Sequence, residues 1–291
     1  VSKNTVSRLL VFGLGVPLFV LVVLFAPFAR NILLVLLVLT VQAHSAGEMS
    51  ALFAARGTRI RSRLVSTLSL SLGIISYLAP YILGDSVGLS SWLLLPSAAA
   101  MLFCLMILSP IAFSQASAFE SILAESAGSL LTFFYCGVLG SVLIILASYF
   151  RQSAAAIFTF TLMTYGNDSL AWLTGMTLGK RRGLVAVSPA KSLAGFIGGM
   201  AGSLAAGALS FILFPSAGYA SVLLAVLVGG LTGVASVIGD LVESAFKRSA
   251  GVKDSSTIVP GRGGVMDSFD SLLFSAPVFL SLSLLFNLFR S

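Results

Sequence analysis

The sequence predicts an all-α polytopic membrane protein with about nine transmembrane helices, on three observations. Of its 291 residues, 57% are apolar and only 9% are charged, whereas soluble domains carry about a quarter charged residues. With a mean hydropathy of +1.05, the chain would expose more hydrocarbon than a water-facing surface tolerates. Nine apolar runs approach the roughly 20 residues that a crossing helix requires. They lie at about 9–29, 31–53, 64–84, 91–113, 128–150, 154–178, 192–214, 219–241 and 269–290. The third observation is the division of the basic residues, 14 to 3, between the two faces of a nine-span chain.

The first run is too long for a signal-peptide core and further spans follow it, so it reads as a retained helix. The second is the weakest, because its clean apolar part, Ile32 to Val41, runs into His44 and Glu48. The His44/Glu48 spacing reads as a polar helix face. With nine spans, the N-terminus and the loops after spans 2, 4, 6 and 8 share one side. That side holds Lys3, Arg8, the Arg56–Arg63 cluster, Lys180, Arg181, Arg182, Lys191, Lys247, Arg248, Lys253 and Arg262. Only Arg30, Arg151 and Arg290 fall on the other. The positive-inside rule then puts the N-terminus in the cytoplasm and the C-terminus outside. The net charge of +7 is accordingly read as topogenic, and no nucleic-acid partner is expected.

Two regions follow from the charge distribution. Residues 1–150, about five spans, read as a support region, to which the resemblance described below adds dimerisation. Residues 151–291 read as the catalytic region, because residues 168–270 hold 14 charges, including six of the ten acids. The composition excludes several chemistries. Cys104 and Cys136 lack CxxC spacing, so a thiolate zinc site is excluded, and His44 is the sole histidine. No P-loop string occurs.

Four constellations carry the polar chemistry of the second region. In the first, Tyr165-Gly166-Asn167-Asp168, an acid sits in an apolar span, where it costs several kcal/mol unless it faces a partner or a wet cavity. Gly166 and Asn167 suggest a break or bend in that helix. The second comprises Gly179-Lys180-Arg181-Arg182 and then Ser188-Pro189-Ala190-Lys191-Ser192. Here Ser188-Pro189 can cap and start the next helix, leaving Lys191 at the membrane edge as a phosphate contact.

The third is Asp240, Glu243, Ser244 and Lys247, at i, i+3, i+4 and i+7, which puts them on one helix face. An exposed stripe with a Glu243–Lys247 pair is the simpler reading. Against it, Asp240 follows a run without charge from Ala220 to Gly239. The fourth is Lys253-Asp254 and Pro260-Gly261-Arg262-Gly263-Gly264-Val265-Met266-Asp267-Ser268-Phe269-Asp270. Its glycines permit close backbone approach to a ligand, and successive N–H groups can form an anion nest. Asp267 directly after the turn is the better ligand candidate; Asp270 fits a capping role equally well. Carboxylates for a hard divalent cation and cations for phosphates thus gather in one region, and with no His/Cys set Mg²⁺ is the metal the composition permits.

Residues 244–270 closely resemble the C-terminal signature of the phosphatidate cytidylyltransferases (CDP-diacylglycerol synthases). That signature reads approximately S-x-apolar-K-R-x4-K-D, a short spacer, then P-x-H-G-G-x-x-D-R-x-D. Asn167-Asp168-Ser169, Gly179-Lys180 and Ser188-Pro189-x-Lys191-Ser192 resemble the family's upstream D-T-x-A-Y…G-K…S-P-K-K-T block. Arg262 stands where the pattern has histidine, Ser268 where it has arginine, and Ala190 where it has lysine. Ser169 and Ser192 replace threonines and keep the hydroxyl. Every acid of the pattern is present.

The resemblance implies an all-helical membrane bundle, a homodimer among membrane lipids, in a bacterial inner (cytoplasmic) membrane with its active site facing the cytoplasm. It implies a reaction joining CTP and phosphatidic acid into CDP-diacylglycerol and pyrophosphate, in phospholipid biosynthesis. The implied cofactor is Mg²⁺, alone or with a second cation such as K⁺. Carried over position by position, the metal-binding acids are Asp240 and Asp267. The catalytic set is Asp168, Lys191, Glu243, Lys247, Lys253 and Asp254, and the phosphate-binding set is Ser188, Arg248, Arg262, Gly263 and Gly264. Two alternatives stay open: a CTP-dependent polyprenol or phytol-type lipid kinase, and an ion-coupled carrier using Asp168 and Asp240.

Overall fold

A computed structural model describes residues 17–25, 28–83, 97–106 and 121–289. Among these the secondary structure is helical, with two isolated β-bridges, Arg182 to Ser192 and Val259 to Gly263, in the loops. In chain order the helices are α1 (17–25), α2 (Phe28–Ala54), α3 (Ser62–Leu83) and α4 (Ser97–Met106). α5 (Ile122–Thr132) continues through a π-helical segment, Phe133–Val138, into α6 (Leu139–Ser148). Then follow α7 (Ser153–Leu178), α8 (Leu193–Leu213), α9 (Val222–Ala250) and α10 (Met266–Leu285).

Six of these segments are long and apolar enough to cross a membrane: Phe28–Ala54, Ser62–Ile82, Ile122–Ser148, Leu193–Leu213, Val222–Ala250 and Met266–Leu285. The expected span at 154–178 is α7, 26 residues long, but diluted by Asn167 and Asp168. Of the expected spans at 9–29 and 91–113, residues 17–25 and 97–106 are helical, and much of the rest lies outside the described residues. The protein is an integral membrane protein of all-helical, polytopic architecture.

The chain divides into two compact units. The first takes the chain up to Tyr149 together with Ser249–Ser268; the second takes Phe150–Arg248 and Phe269 onward. In the first unit an apolar cluster of Val65, Leu68, Leu72, Leu102, Met106 and Phe133 ties α3, α4 and the π segment together. Polar glue supplements it, as expected where lipid supplies no hydrophobic drive between helices. Gln42 on α2 is buried, and its Nε2 donates to the Gly137 carbonyl at 2.9 Å. That carbonyl lies inside the π segment, where it also accepts from Ser141 Oγ at 2.7 Å.

The second unit is built on small residues. The buried face of α8 is Gly195, Gly198, Gly199, Gly202, Ser203, Ala206, Gly207 and Ser210, the composition that lets helix backbones approach closely. At Gly202 the backbone of α8 closely approaches that of α7, since a Cβ there would collide with the Gly166 carbonyl. This explains why α7 runs unbroken through Gly166 and Asn167, contrary to the break or bend expected there. Gly166 accommodates α8, and Asn167 is satisfied by neighbours, so the helical hydrogen bonds need not open.

A second correction concerns the start of α8. Ser188-Pro189 lie in the preceding loop, and the N-cap is Ser192, whose side chain accepts from the Gly195 N–H at 3.1 Å. Ser192 has the extended backbone an N-cap needs, with φ −111° and ψ 157°. Lys191 therefore immediately precedes the cap. α9 extends past the expected end at 241 to Ala250, so the Asp240–Lys247 stripe rides on one continuous helix.

Candidate active site

In the second unit α7, α8, α9 and the 179–192 loop enclose a cavity of about 480 Å³. Asp168 reaches it from α7, Asp240 from α9, and Lys191 and Arg182 from the loop. The loop is closed on itself: Gly183 N–H donates to the Pro189 carbonyl at 2.9 Å, and Leu193 N–H to the Arg181 carbonyl at 3.1 Å. This folding back carries the basic residues alongside the start of α8. Asn167 forms part of the cavity wall and is held by bonds from its Nδ2 to Ser203 Oγ at 2.8 Å and the Gly233 carbonyl at 3.4 Å.

Charged groups meet at the cavity in defined pairs. Lys191 Nζ lies 2.5 Å from Asp240 Oδ2 and 5.8 Å from the centre of the Phe196 ring. Asp240 Oδ1 accepts from Ser244 Oγ at 3.4 Å, and Asp168 Oδ1 from Ser236 Oγ at 3.5 Å. One turn beyond Asp240, Glu243 is fully buried and pairs with Lys247 at 2.5 Å. The stripe expected at i, i+3, i+4 and i+7 is thus internally bonded.

Asp270, which the sequence weighed equally as a cap, is a buried member of this constellation. Its charged neighbours are Asp240, Asp168 and Lys247. Its Oδ1 accepts from the Ser271 N–H at 2.6 Å. Close contact of α9 with α10 brings it there, for a Cβ at Gly239 would lie 2.7 Å from the Asp270 carbonyl oxygen. Of the other residues expected in this region, Ser188 is half-buried in the loop and Arg248 is exposed near the end of α9.

In the first unit the glycine turn is a tightly bonded loop. Asp267 Oδ2 accepts from the Gly264 N–H at 2.6 Å, and from the N–H and Oγ of Ser255 at 2.9 Å each. Gly263 has φ +108°, a conformation glycine adopts without strain. Lys253 and Asp254 are exposed on this loop, and Arg262 is half-buried. The structure gives a further role to Glu48, which the sequence places with His44 on a polar helix face. It is buried on α2 and accepts from the N–H groups of Val265 and Met266 at 2.9 and 2.8 Å. The only local hint was an acid in an otherwise apolar run.

The oxygen donors fit Mg²⁺ by type. This ion is commonly held by one or two carboxylates plus substrate phosphates, and Asp168 and Asp240 offer carboxylates to one cavity. Among the described residues, no three His, Cys, Asp or Glu side chains form a metal cage by themselves. Of the sequence-predicted metal pair, Asp240 belongs to the second unit and Asp267 to the first.

A cavity lined by two carboxylates and two cations is a site suited to phosphates and a hard cation, and the chain resembles proteins of one family. The model of the Cytidylyltransferase family matches residues 6–286. The chain is 40% identical over 126 residues to a phosphatidate cytidylyltransferase of Pseudomonas aeruginosa, covering 43% of this chain and 46% of that protein. It is 39% identical over 132 residues to that of Bacillus subtilis, covering 45% and 48%. The uncharacterized protein YnbB of Escherichia coli is 42% identical over 129 residues, covering 44% and 42%. The matched stretches thus span less than half the length of these curated relatives. The chain belongs to the cytidylyltransferase family.

Proposed function

We propose that the protein is a phosphatidate cytidylyltransferase, which joins CTP and phosphatidate into CDP-diacylglycerol and releases pyrophosphate. The observation that carries this reading is the meeting of Asp168, Asp240, Lys191 and Arg182 in one cavity. These carboxylates and cations come from the stretch that resembles the family's motif blocks. The names of the Pseudomonas and Bacillus relatives supply the substrate class.

In this reaction a phosphate oxygen of phosphatidate attacks the α-phosphorus of CTP, and the α–β phosphoanhydride bond breaks as pyrophosphate leaves. No nucleophilic side chain is needed, because positioning and electrostatic stabilisation suffice. Lys191 and Arg182 hold phosphate oxygens. Asp168 and Asp240 would offer carboxylates to Mg²⁺ in the cavity, the family pattern gives Asp267 a metal-binding role as well, and Glu243 pairs with Lys247. When bound, Mg²⁺ neutralises charge that develops on the departing pyrophosphate. Lys191, paired with Asp240 at the cavity, would turn to substrate phosphate when that carboxylate is engaged elsewhere.

The reading extends to the setting. The 14-to-3 division of basic residues supports a cytoplasmic active site in a bacterial inner membrane, where CTP is available. The assembly is a homodimer within lipid. The test is pyrophosphate release by purified protein in lipid micelles. Release should require CTP, phosphatidate and Mg²⁺ together; release without phosphatidate, or none with all three present, would reject the assignment.

A further inference from the structure

The four acceptor positions on the Glu48 carboxylate are all used, and all by one loop. Oε1 accepts from Ser256 Oγ at 2.6 Å and the Val265 N–H at 2.9 Å. Oε2 accepts from Ser255 Oγ at 2.9 Å and the Met266 N–H at 2.8 Å. Val265 and Met266 open α10, so their N–H groups belong to the orphan donors of a helix N-terminus. A carboxylate there is favoured by the helix dipole and by charge-assisted hydrogen bonding. The cap, however, comes from α2, more than 200 residues away in sequence.

Glu48 is also coupled to Asp267. Ser255 Oγ lies 2.9 Å from both Glu48 Oε2 and Asp267 Oδ2, and its one hydroxyl hydrogen is shared between two carboxylates. Gly264 fills the remaining space: any side chain there would collide with Ser255 Oγ and both Glu48 oxygens. The close approach this glycine permits is therefore to carboxylates of the same chain.

We propose that Glu48 is a positioning residue for the glycine turn, holding the start of α10 and, through Ser255, the carboxylate of Asp267 in its working geometry. This rests on the cytidylyltransferase reading for its effect on turnover, but not for its effect on the loop. A carboxylate that accepts two backbone N–H bonds and two hydroxyls cannot be replaced by an amide without turning an N–H₂ toward donors. Glu48→Gln therefore releases the turn while keeping the side-chain shape.

The experiment compares wild type, Glu48→Gln and Ser256→Ala by amide hydrogen exchange in detergent and by steady-state kinetics. In Glu48→Gln the amides of 264–266 should exchange about tenfold faster, since charge-assisted bonds are lost. Amides in the middle of α2 and α10 should keep their wild-type rates. The kcat should fall about 100-fold, as for a misplaced catalytic group, the Mg²⁺ concentration for half-activation should rise, and KM for CTP should change less. Ser256→Ala removes one bond of the four, so it should fold normally and loosen the same amides to a smaller degree.

Unchanged exchange at 264–266 in both variants would overturn the clasp, as would exchange rising equally throughout α2 and α10. Wild-type kcat and Mg²⁺ response in Glu48→Gln with a loosened turn would overturn its role in positioning. A wild type inactive with CTP and phosphatidate would reject the proposed reaction instead, and the exchange measurement would still decide whether Glu48 holds the turn.

Discussion

Lys191 Nζ and Asp240 Oδ2 stand 2.5 Å apart, joining the loop before α8 to the middle of α9. Neither residue is deeply buried, with side-chain exposures of 24% and 37%. At this exposure the pair is worth no more than about 1 kcal/mol of stability, so its value lies in the cavity it borders. Asp240→Asn should accordingly shift the unfolding temperature little, yet lower CTP-dependent turnover by at least about 100-fold if it binds the metal. Wild-type turnover in this variant would remove Asp240 from the site.

The Glu243–Lys247 pair should behave in the opposite way. Glu243 is fully buried and its lysine only 14% exposed, so breaking the pair takes the 2.5 Å carboxylate away from a largely buried ammonium group. Glu243→Gln should destabilise the protein by about 3–5 kcal/mol, measured by chemical or thermal unfolding in detergent. Glu243→Leu combined with Lys247→Met should recover most of that loss while leaving the enzyme inactive. Full stability of the single variant would show that the pair contributes nothing to the fold.

Packing of α7 on α8 makes a prediction without charges. Gly202 faces the Gly166 carbonyl with no room for a Cβ. Gly202→Val should force the helices apart and cost about 1–3 kcal/mol as an overpacked contact, visible as a lowered unfolding temperature. Leu204, 39% exposed on the same helix, should tolerate Leu204→Val with little change, which separates tight packing from general helix propensity.

Asn167 tests the cavity wall. Its buried amide bonds to Ser203 and the Gly233 carbonyl, linking α7 to α8 and α9. Asn167→Leu removes both of these bonds between helices and should cost about 1–3 kcal/mol, with KM for CTP raised as the wall shifts. A variant with unaltered stability and KM would show that this bond network is dispensable.

What the sequence made legible follows from how local each signal is. Asp168 and Asp240 stood out because an acid within or directly after a long apolar run has few tolerable surroundings, and both reach the cavity. The Asp240–Lys247 stripe was readable from helical periodicity alone, since its partners lie within eight residues. Lys191, expected at the membrane edge after a Ser188-Pro189 cap, instead directly precedes a cap at Ser192, where backbone geometry decides between two nearby serines. Asp270 stayed ambiguous because a first-turn acid caps a helix as readily as it lines a site, and only the approach of α9 at Gly239 separates the two.

Glu48 was illegible for a different reason. Its partners are residues 255, 256, 265 and 266, and no periodicity links α2 to a loop so distant in sequence. The same holds for Gly166, which reads locally as a helix breaker and proves to be a contact surface for α8. Close packing between helices is a tertiary property, and small residues announce only that some approach occurs.

The most direct test of the central claim is a paired incorporation experiment with CTP labelled at either the α- or the γ-phosphate. Purified protein would be supplied with phosphatidate and, separately, with a polyprenol, with and without Mg²⁺. Cytidylyl transfer predicts α-label in a lipid product only with phosphatidate and Mg²⁺, and γ-label released as pyrophosphate. γ-Label in lipid from the polyprenol would instead make the protein a lipid kinase, and no lipid label under any condition would contradict cytidylyl transfer outright.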